Sequence, residues 1–387
     1  MGSGRRGIAA LAVVAAVLAG CQRSAPDEVV RPDWSPVTLP VPPGKPGPLI
    51  LRDAVTCAGR WYAVGAVGVA AGETRPAAWT SADGRSWTPL RPVPKTYYGH
   101  QNILYSAACR DGRLAAMGAK IGGAHANPRT SSWRQLPDGS LVEIIAGYTL
   151  YGGASAVNVA RMTGGPPGWL IAGNRTSGAA AWVSPDAAEF RIVEAAPELA
   201  SDERGETWAF DGTPTAQGWL LVGGLIPAGR IDRDPLAWVS ADGLRWQRQT
   251  VAGSPAYEEF QRAAVVAGAP LAVGLRGSAF GAWRWADGTW RGGGEFGASE
   301  AAGVRAVRSL VPAGDTVLAV TSDGKAHRLW ASSDAGGSWR PVLAPAELPA
   351  GSDRAAAVAA DQGQVVLVAD DAKAGRMWLA PIPSVAG

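Results

Sequence analysis

Charge is scarce in this chain, and so are cysteine and histidine. Asp, Glu, Lys and Arg make up 18% of the residues and the net charge is +3. That excludes a strongly basic nucleic-acid binder of the usual kind. The three histidines, His100, His125 and His327, stand far apart, and no Cys or His cluster has the spacing of zinc ligands. No metal and no other cofactor is expected. Long apolar runs are missing as well: Ile8 to Val17 is unbroken but too short to span a bilayer comfortably. No stretch carries a convincing amphipathic helical period. What the chain has instead is turn formers and tryptophan, with 51 Gly, 29 Pro and 17 Trp in 387 residues. The apolar share of 47% is ample for a core.

The tryptophans fall in a pattern. "WTSADGRSWTPL" from Trp79 returns as "WVSADGLRW" from Trp238 and "WASSDAGGSWRPV" from Trp330, with weaker copies at "WVSPDAAEF" from Trp182 and "WRWADGTW" from Trp283. Short apolar runs precede them: "WYAVG" at Trp61, "LAAMG" at Leu114, "WLIAG" at Trp169, "WLLVG" at Trp219, "PLAVG" at Pro270, "TVLAV" at Thr316 and "VVLVA" at Val365. Before each lies another run, such as "DAVTCAG" from Asp53. Runs of four to six β-formers between Gly, Asn and Asp clusters read as strands. The unit is strand, turn, strand, loop, strand, Asp-Gly turn, strand, which is the pattern of a propeller blade.

The last unit ends at "MWLAPIP", Met377 to Pro383, without a fourth strand. A matching piece, "DWSPVTLPVP" from Asp33 to Pro42, stands near the other end of the chain. Trp34 then becomes the counterpart of Trp87, Leu141, Phe190, Trp246, Trp290 and Trp339, at a mean step of about 51 residues. The expectation is an all-β, seven-bladed propeller over residues 33–385, with an N-terminal strand completing the last blade and leaving no open edge. The Asp-Gly turn is architectural: Gly accepts positive φ and the Asp side chain binds turn amides.

These segments resemble the Asp-box, Ser-x-Asp-x-Gly-x-Thr-Trp, of the bacterial neuraminidase repeat superfamily. "SSDAGGSW" matches it best, through Ser332, Asp334, Gly336 and Trp339, with Ser338 in place of Thr. The resemblance implies a propeller and leaves activity open, since sialidases, photosystem assembly factors and many surface proteins share it. A sialidase would need three arginines, a Tyr with a Glu partner and an Asp acid. Tyr97, Tyr98, Tyr257 and Glu258 are available, yet the family's Arg-Ile-Pro signature is replaced by "LRDA" from Leu51.

Residues 1–20 read as an export signal, with Arg5 and Arg6 ahead of the apolar run. "LAGC", Leu18 to Cys21, resembles a bacterial lipobox, which implies a lipid on Cys21 and a tether over 21–32. The general and the twin-arginine routes both remain open. Export permits disulfides, and Cys57 and Cys109 hold equivalent places in adjacent blades. They are expected either to be bridged or to be two buried thiols. Asn174 in "GNRTSG" heads a glycosylation triplet and is expected in a loop.

One constellation suggests chemistry. Arg52, Arg262, Arg305 and Arg354 fall near the start of the first strand in blades one, five, six and seven, where blades two to four have Leu104, Ala154 and Thr207. An arc of guanidinium groups at a channel mouth suits a carboxylate or phosphate ligand. The plainer reading pairs each arginine with Asp53, Glu259 or Asp353 in solvent. The function expected is a non-catalytic binding module, monomeric and held outside the cytoplasm by its lipid. Its partner would be an acidic glycan, a cell-wall polymer or a protein. The alternative is a sialidase-like glycoside hydrolase.

Overall fold

The computed structural model describes residues 1–2, 29–70, 72–123, 127–300 and 303–384. Cys21 and the apolar run before it lie outside these residues. The described chain forms seven sheets, antiparallel but for one edge pair, arranged as the blades of a propeller, six of four strands and one of five. The innermost strands are Leu49–Cys57, Ile103–Arg110, Ala156–Gly165, Gly205–Thr215, Glu258–Val266, Ala306–Ala313 and Ala355–Asp361. Blade two gains its extra strand from Pro92–Val93, which pairs in parallel with Leu141–Ile144. Among the described residues helix is limited to single turns at Gly99–Gln101 and Tyr148–Tyr151. No helix among the described residues is long and apolar enough to cross a membrane.

The last blade is shared between the two ends of the chain. Ser35–Val37 pairs antiparallel with Gly375–Pro381, Ser35 opposite Leu379 and Val37 opposite Met377. Trp34 sits just before this strand, as Trp246 and Trp339 do in their blades, and donates its indole N–H to the Leu343 carbonyl at 2.8 Å. It is only half-buried, unlike those counterparts.

The core is seven clusters, one in each gap between neighbouring blades. The second strand of each blade is covered on both sides, which explains its unbroken apolar run. In "WLLVG", Leu221 faces blade three and Leu220 faces blade five. Asn174 lies in such a strand rather than in a loop. It is fully buried and grips Ala209 of the next blade, accepting from its N–H at 2.7 Å and donating to its carbonyl at 2.9 Å. A sugar acceptor must be reachable, so the triplet is incidental.

Alternation of strand direction sorts the loops onto two faces. The turns from first to second strand and from third to fourth lie on one face. On the other lie the remaining loops and the start of every first strand. The first face carries the repeated turns. In blade one, Ser81 Oγ donates to Asp83 Oδ1 at 2.9 Å and accepts from the Gly84 N–H at 2.9 Å. Asp83 Oδ1 accepts from the N–H groups of Arg85 and Ser86, each at 2.8 Å. The Trp87 indole closes the turn on the Gly84 carbonyl at 2.9 Å. The same bonds recur around Asp242, and the Ser–Asp part of them around Asp186 and Asp334. Backbone donors hold the Asp83 and Asp242 carboxyls down at about 2. "WRWADGTW" differs. Asp287 and Gly288 form a two-residue turn at φ 52° and 76°, and the carboxylate pairs with Arg291 instead.

Candidate site at the channel mouth

Six of the seven first strands carry a β-bulge on their way down the channel. The extra residue re-aims the side chains beyond it and leaves an amide outside the ladder. The residues just after the bulge are Asp53, Ser106, Arg161, Asp211, Arg262 and Ser309. Ala357 is their counterpart in blade seven, since all seven pair with the same position of their second strands. They form a belt around the channel.

Belt side chains stitch one blade to the next. Asp53 accepts from the Ala107 N–H at 3.0 Å, Ser106 Oγ from Met162 at 3.1 Å, Asp211 from Ala263 at 3.3 Å and Ser309 Oγ from Val358 at 3.4 Å. Where the belt residue is Arg it cannot accept, and it reaches sideways. Arg161 Nη2 lies 3.1 Å from Asp53, two blades away, and its Nε lies 3.7 Å from Asp211. Burial would lower Arg161, but the two carboxylates outweigh it and hold the guanidinium above its ordinary value. Burial likewise pushes Asp211 up, against the pull of Arg262 and Arg161.

The positive charges on the blade five to blade six side are less well matched. Arg262 donates to two carbonyls, Gln261 at 2.6 Å and Arg308 at 3.2 Å, and makes no direct ion pair among the described residues. Its guanidinium is pulled down to about 9 by burial and then by Arg161, with Arg308 adding to the effect. Arg308, the bulge residue of blade six, is also lowered by burial, and its Nε is buried without a hydrogen-bond partner. Arg305, three residues earlier, has a buried Nη1 in the same condition. Near them, burial and Arg308 hold His327 down at about 4, so its ring is neutral at pH 7.

The four arginines expected to share one repeat position therefore do not. Arg52 is itself a bulge residue, Arg262 is in the belt, and Arg305 and Arg354 precede their strands. Bulges shift the starts of the strands, so counting from the start misaligns them. Counting four residues back from each strand's last residue recovers the belt. Arg52 pairs with the buried Asp370 at 2.9 Å, and not with Asp53 beside it in sequence. Arg354 is exposed and binds the Ala350 carbonyl at 2.8 Å. Arg161 and Arg308 escaped the sequence reading.

A Tyr–Glu pair is present nearby, built by Glu259 rather than Glu258. Tyr257 donates to Glu259 at 2.8 Å, while Glu258 pairs with Arg276 at 2.8 Å. Arg233 bonds both Tyr257 and Glu259 and lies over the rings of Trp208, Phe210 and Tyr257. Desolvation and the adjacent carboxylate push the Tyr257 phenol up. Tyr97 and Tyr98 sit elsewhere, edge to face in the loop leading into blade two.

At the far end of the first strands, Cys57 and Cys109 are joined, with their Cα atoms 5.8 Å apart. Among the described residues no group of three or more His, Cys, Asp or Glu is placed to hold a metal.

No family model and no curated protein matches the chain. Solved structures do match. YCF48 from Cyanidioschyzon merolae is similar at 14% identity and a TM-score of 0.52, over 90% of this chain and 98% of that one. The Cps50 (Swd1) β-propeller domain of Myceliophteria thermophila is similar at 12% identity and 0.53, over 90% and 99%. Trypanosoma rangeli sialidase matches at 10% and 0.45, and the chain spans 60% of that structure's length. Such identities show the β-propeller fold alone.

Proposed function

We propose that the protein is a non-catalytic binding module, tethered outside the cytoplasm by a lipid on Cys21, that receives an anionic ligand at the channel mouth. The observation that carries this reading is Arg308. Its half-buried guanidinium has a buried Nε with no partner, beside an Arg262 that lacks a direct carboxylate. A buried guanidinium N–H without an acceptor is costly, and a bound carboxylate or phosphate relieves that cost. The ligand class is an acidic glycan or a phosphate-bearing cell-wall polymer, with Arg305 and Arg354 on the approach. Polygalacturonate and polyglycerol phosphate are the probes. Calorimetric binding should weaken with salt, and Arg305→Ala with Arg308→Ala should weaken it at least about tenfold, about 1.4 kcal/mol. Binding that is unchanged in the double variant, or absent in the wild type, overturns the reading.

A sialidase-type glycosidase is the second reading, favoured by the Tyr257–Glu259 bond. Against it, Arg233 already spends its Nη1 on those same two groups, and no Asp joins them in the hydrogen bonds described. Turnover of a fluorogenic sialoside that is lost in Tyr257→Phe would replace the first reading with this one.

A further inference from the structure

On the opposite face, each repeated turn leans on the blade before it. A Cβ added at Gly84 would meet Leu379 of blade seven, one at Gly243 would meet Val183 of blade three, and one at Gly336 would meet Leu271 of blade five. Blade five has no such turn, because Ala286 and Thr289 pair directly across Asp287 and Gly288. Val239 of blade four, the register counterpart of Val183, therefore has no such turn over it and is only half-buried, at the edge of the cluster between blades four and five. A groove of about 780 Å³ opens there, between blades four and five.

Blade two also lacks the turn, yet its gap is filled. Tyr62 of blade one is buried in it, and its hydroxyl donates to the Gly112 carbonyl at 2.6 Å. The counterpart of Tyr62 in blade four is Leu220, which is too short to reach Gly268, the counterpart of Gly112. The opening is thus the joint result of a shortened hairpin and a smaller side chain.

The groove has a definite chemistry. Trp285 is half-buried and stands edge to face on Trp290, at 5.6 Å and 69°. Gln249 Oε1 accepts the Trp290 indole N–H at 3.1 Å, which leaves its amide nitrogen to donate. Gln217 and Gln247 are exposed at the groove. The charges on its rim, Asp242 and Arg245, pair with each other at 3.3 Å. Indole faces offer flat apolar surface, and primary amides both donate and accept. A few polar groups on an aromatic floor, in a volume of this size, describe a small-ligand site.

We infer that this groove binds a neutral pyranose oligosaccharide. The C–H face of a sugar ring stacks on Trp285, and its hydroxyls exchange hydrogen bonds with the glutamine amides. The site shares no residue with the channel mouth and stands or falls separately from the anion reading.

The test is titration of the full chain with cellohexaose, mannohexaose and chitohexaose, followed by tryptophan fluorescence and calorimetry. Saturable binding of at least one sugar is expected. Trp285→Ala and Leu220→Tyr should each weaken it at least about tenfold, about 1.4 kcal/mol. Arg305→Ala with Arg308→Ala should leave it unchanged. The tyrosine rebuilds the plug found between blades one and two, and a melting curve reports whether that variant folds. Should it not fold, Trp285→Ala alone decides. The inference is overturned if no sugar binds at about 5 mM, weaker than the millimolar range, or if binding survives Trp285→Ala. It is equally overturned if a peptide of the blade-six turn, residues 330–342, binds the groove and the sugars do not.

Discussion

The repeated turns and the joints between blades use the same side chain in opposite ways. In the turns, Asp83, Asp186, Asp242 and Asp334 bind amides of their own turns, no more than four residues away. At the joints, Asp53, Asp211 and Asp370 bind groups brought from other blades, up to 319 residues away. The first arrangement is local, so it can be copied from blade to blade without reference to the rest of the ring. The second needs another blade in place, and between Asp370 and Leu51 it needs the ring closed, so each blade contributes something different. Repetition therefore marks architecture here, and departure from repetition marks the places where ligands are proposed to bind.

Substitutions at matched positions can break this contrast. The largest effect is expected from Asp53→Ala. It strips the Ala107 N–H of its acceptor and leaves Arg161 with only Asp211 at 3.7 Å. Breaking a buried pair from one side costs about 3–5 kcal/mol, to be read from urea denaturation. Next comes the link between Cys57 and Cys109, 52 residues apart in sequence. On the chain-entropy model, Cys57→Ala with Cys109→Ala should cost about 4 kcal/mol at most. Denatured, unreduced protein should show neither thiol; finding both free removes the bridge.

The third effect is a pH dependence set by His327. His327 has a folded value of about 4 against an ordinary 6.5. The unfolded chain therefore binds the extra proton between these values, and stability falls as pH drops from about 6.5 to about 4. The loss approaches roughly 3 kcal/mol, and His327→Phe should flatten that window. The Asp83 and Asp242 carboxyls act lower. Their folded values of about 2 lie below the ordinary 3.8, so what they contribute is lost only as pH falls from about 4 towards 2. The smallest effect is expected from Asp83→Ala, about 1 kcal/mol, because its turn amides can be rehydrated. If Asp83→Ala matches Asp53→Ala in denaturation, the distinction between local and ring-spanning carboxylates fails.

The same distinction decides what could be read in the sequence. The number of blades, the strand shared at Trp34 and the turns at Ser81, Ser240 and Ser332 were legible because each depends on nearby residues or on their periodic return. The weak copy at Trp283 misled, since Asp-Gly serves a two-residue hairpin as readily as the longer turn. The belt was not legible from the starts of the strands. A bulge adds a residue that no local pattern announces, and it moved Arg52 and Arg262 to different positions. Nor does sequence spacing show that Arg161 reaches Asp53, because the channel's width sets that contact. The pairing of Tyr257 with Glu259, rather than with the adjacent Glu258, comes from strand alternation, which places neighbours on opposite sides of the sheet.

The strand that closes blade seven has a consequence in time. Trp34 bonds Leu343, 309 residues further along the chain. During synthesis the first outer strand is made long before the surface it covers exists. Six blades can form in sequence as they emerge, but the last stays incomplete until residues near 380 are available. Contacts of such separation slow folding because a very large loop must close before they contribute. Until then the incomplete blade presents an unpaired edge to other chains. The interval between synthesis and closure is thus the period in which this molecule is most exposed to aggregation, and a factor that shields a bare strand would act on it then.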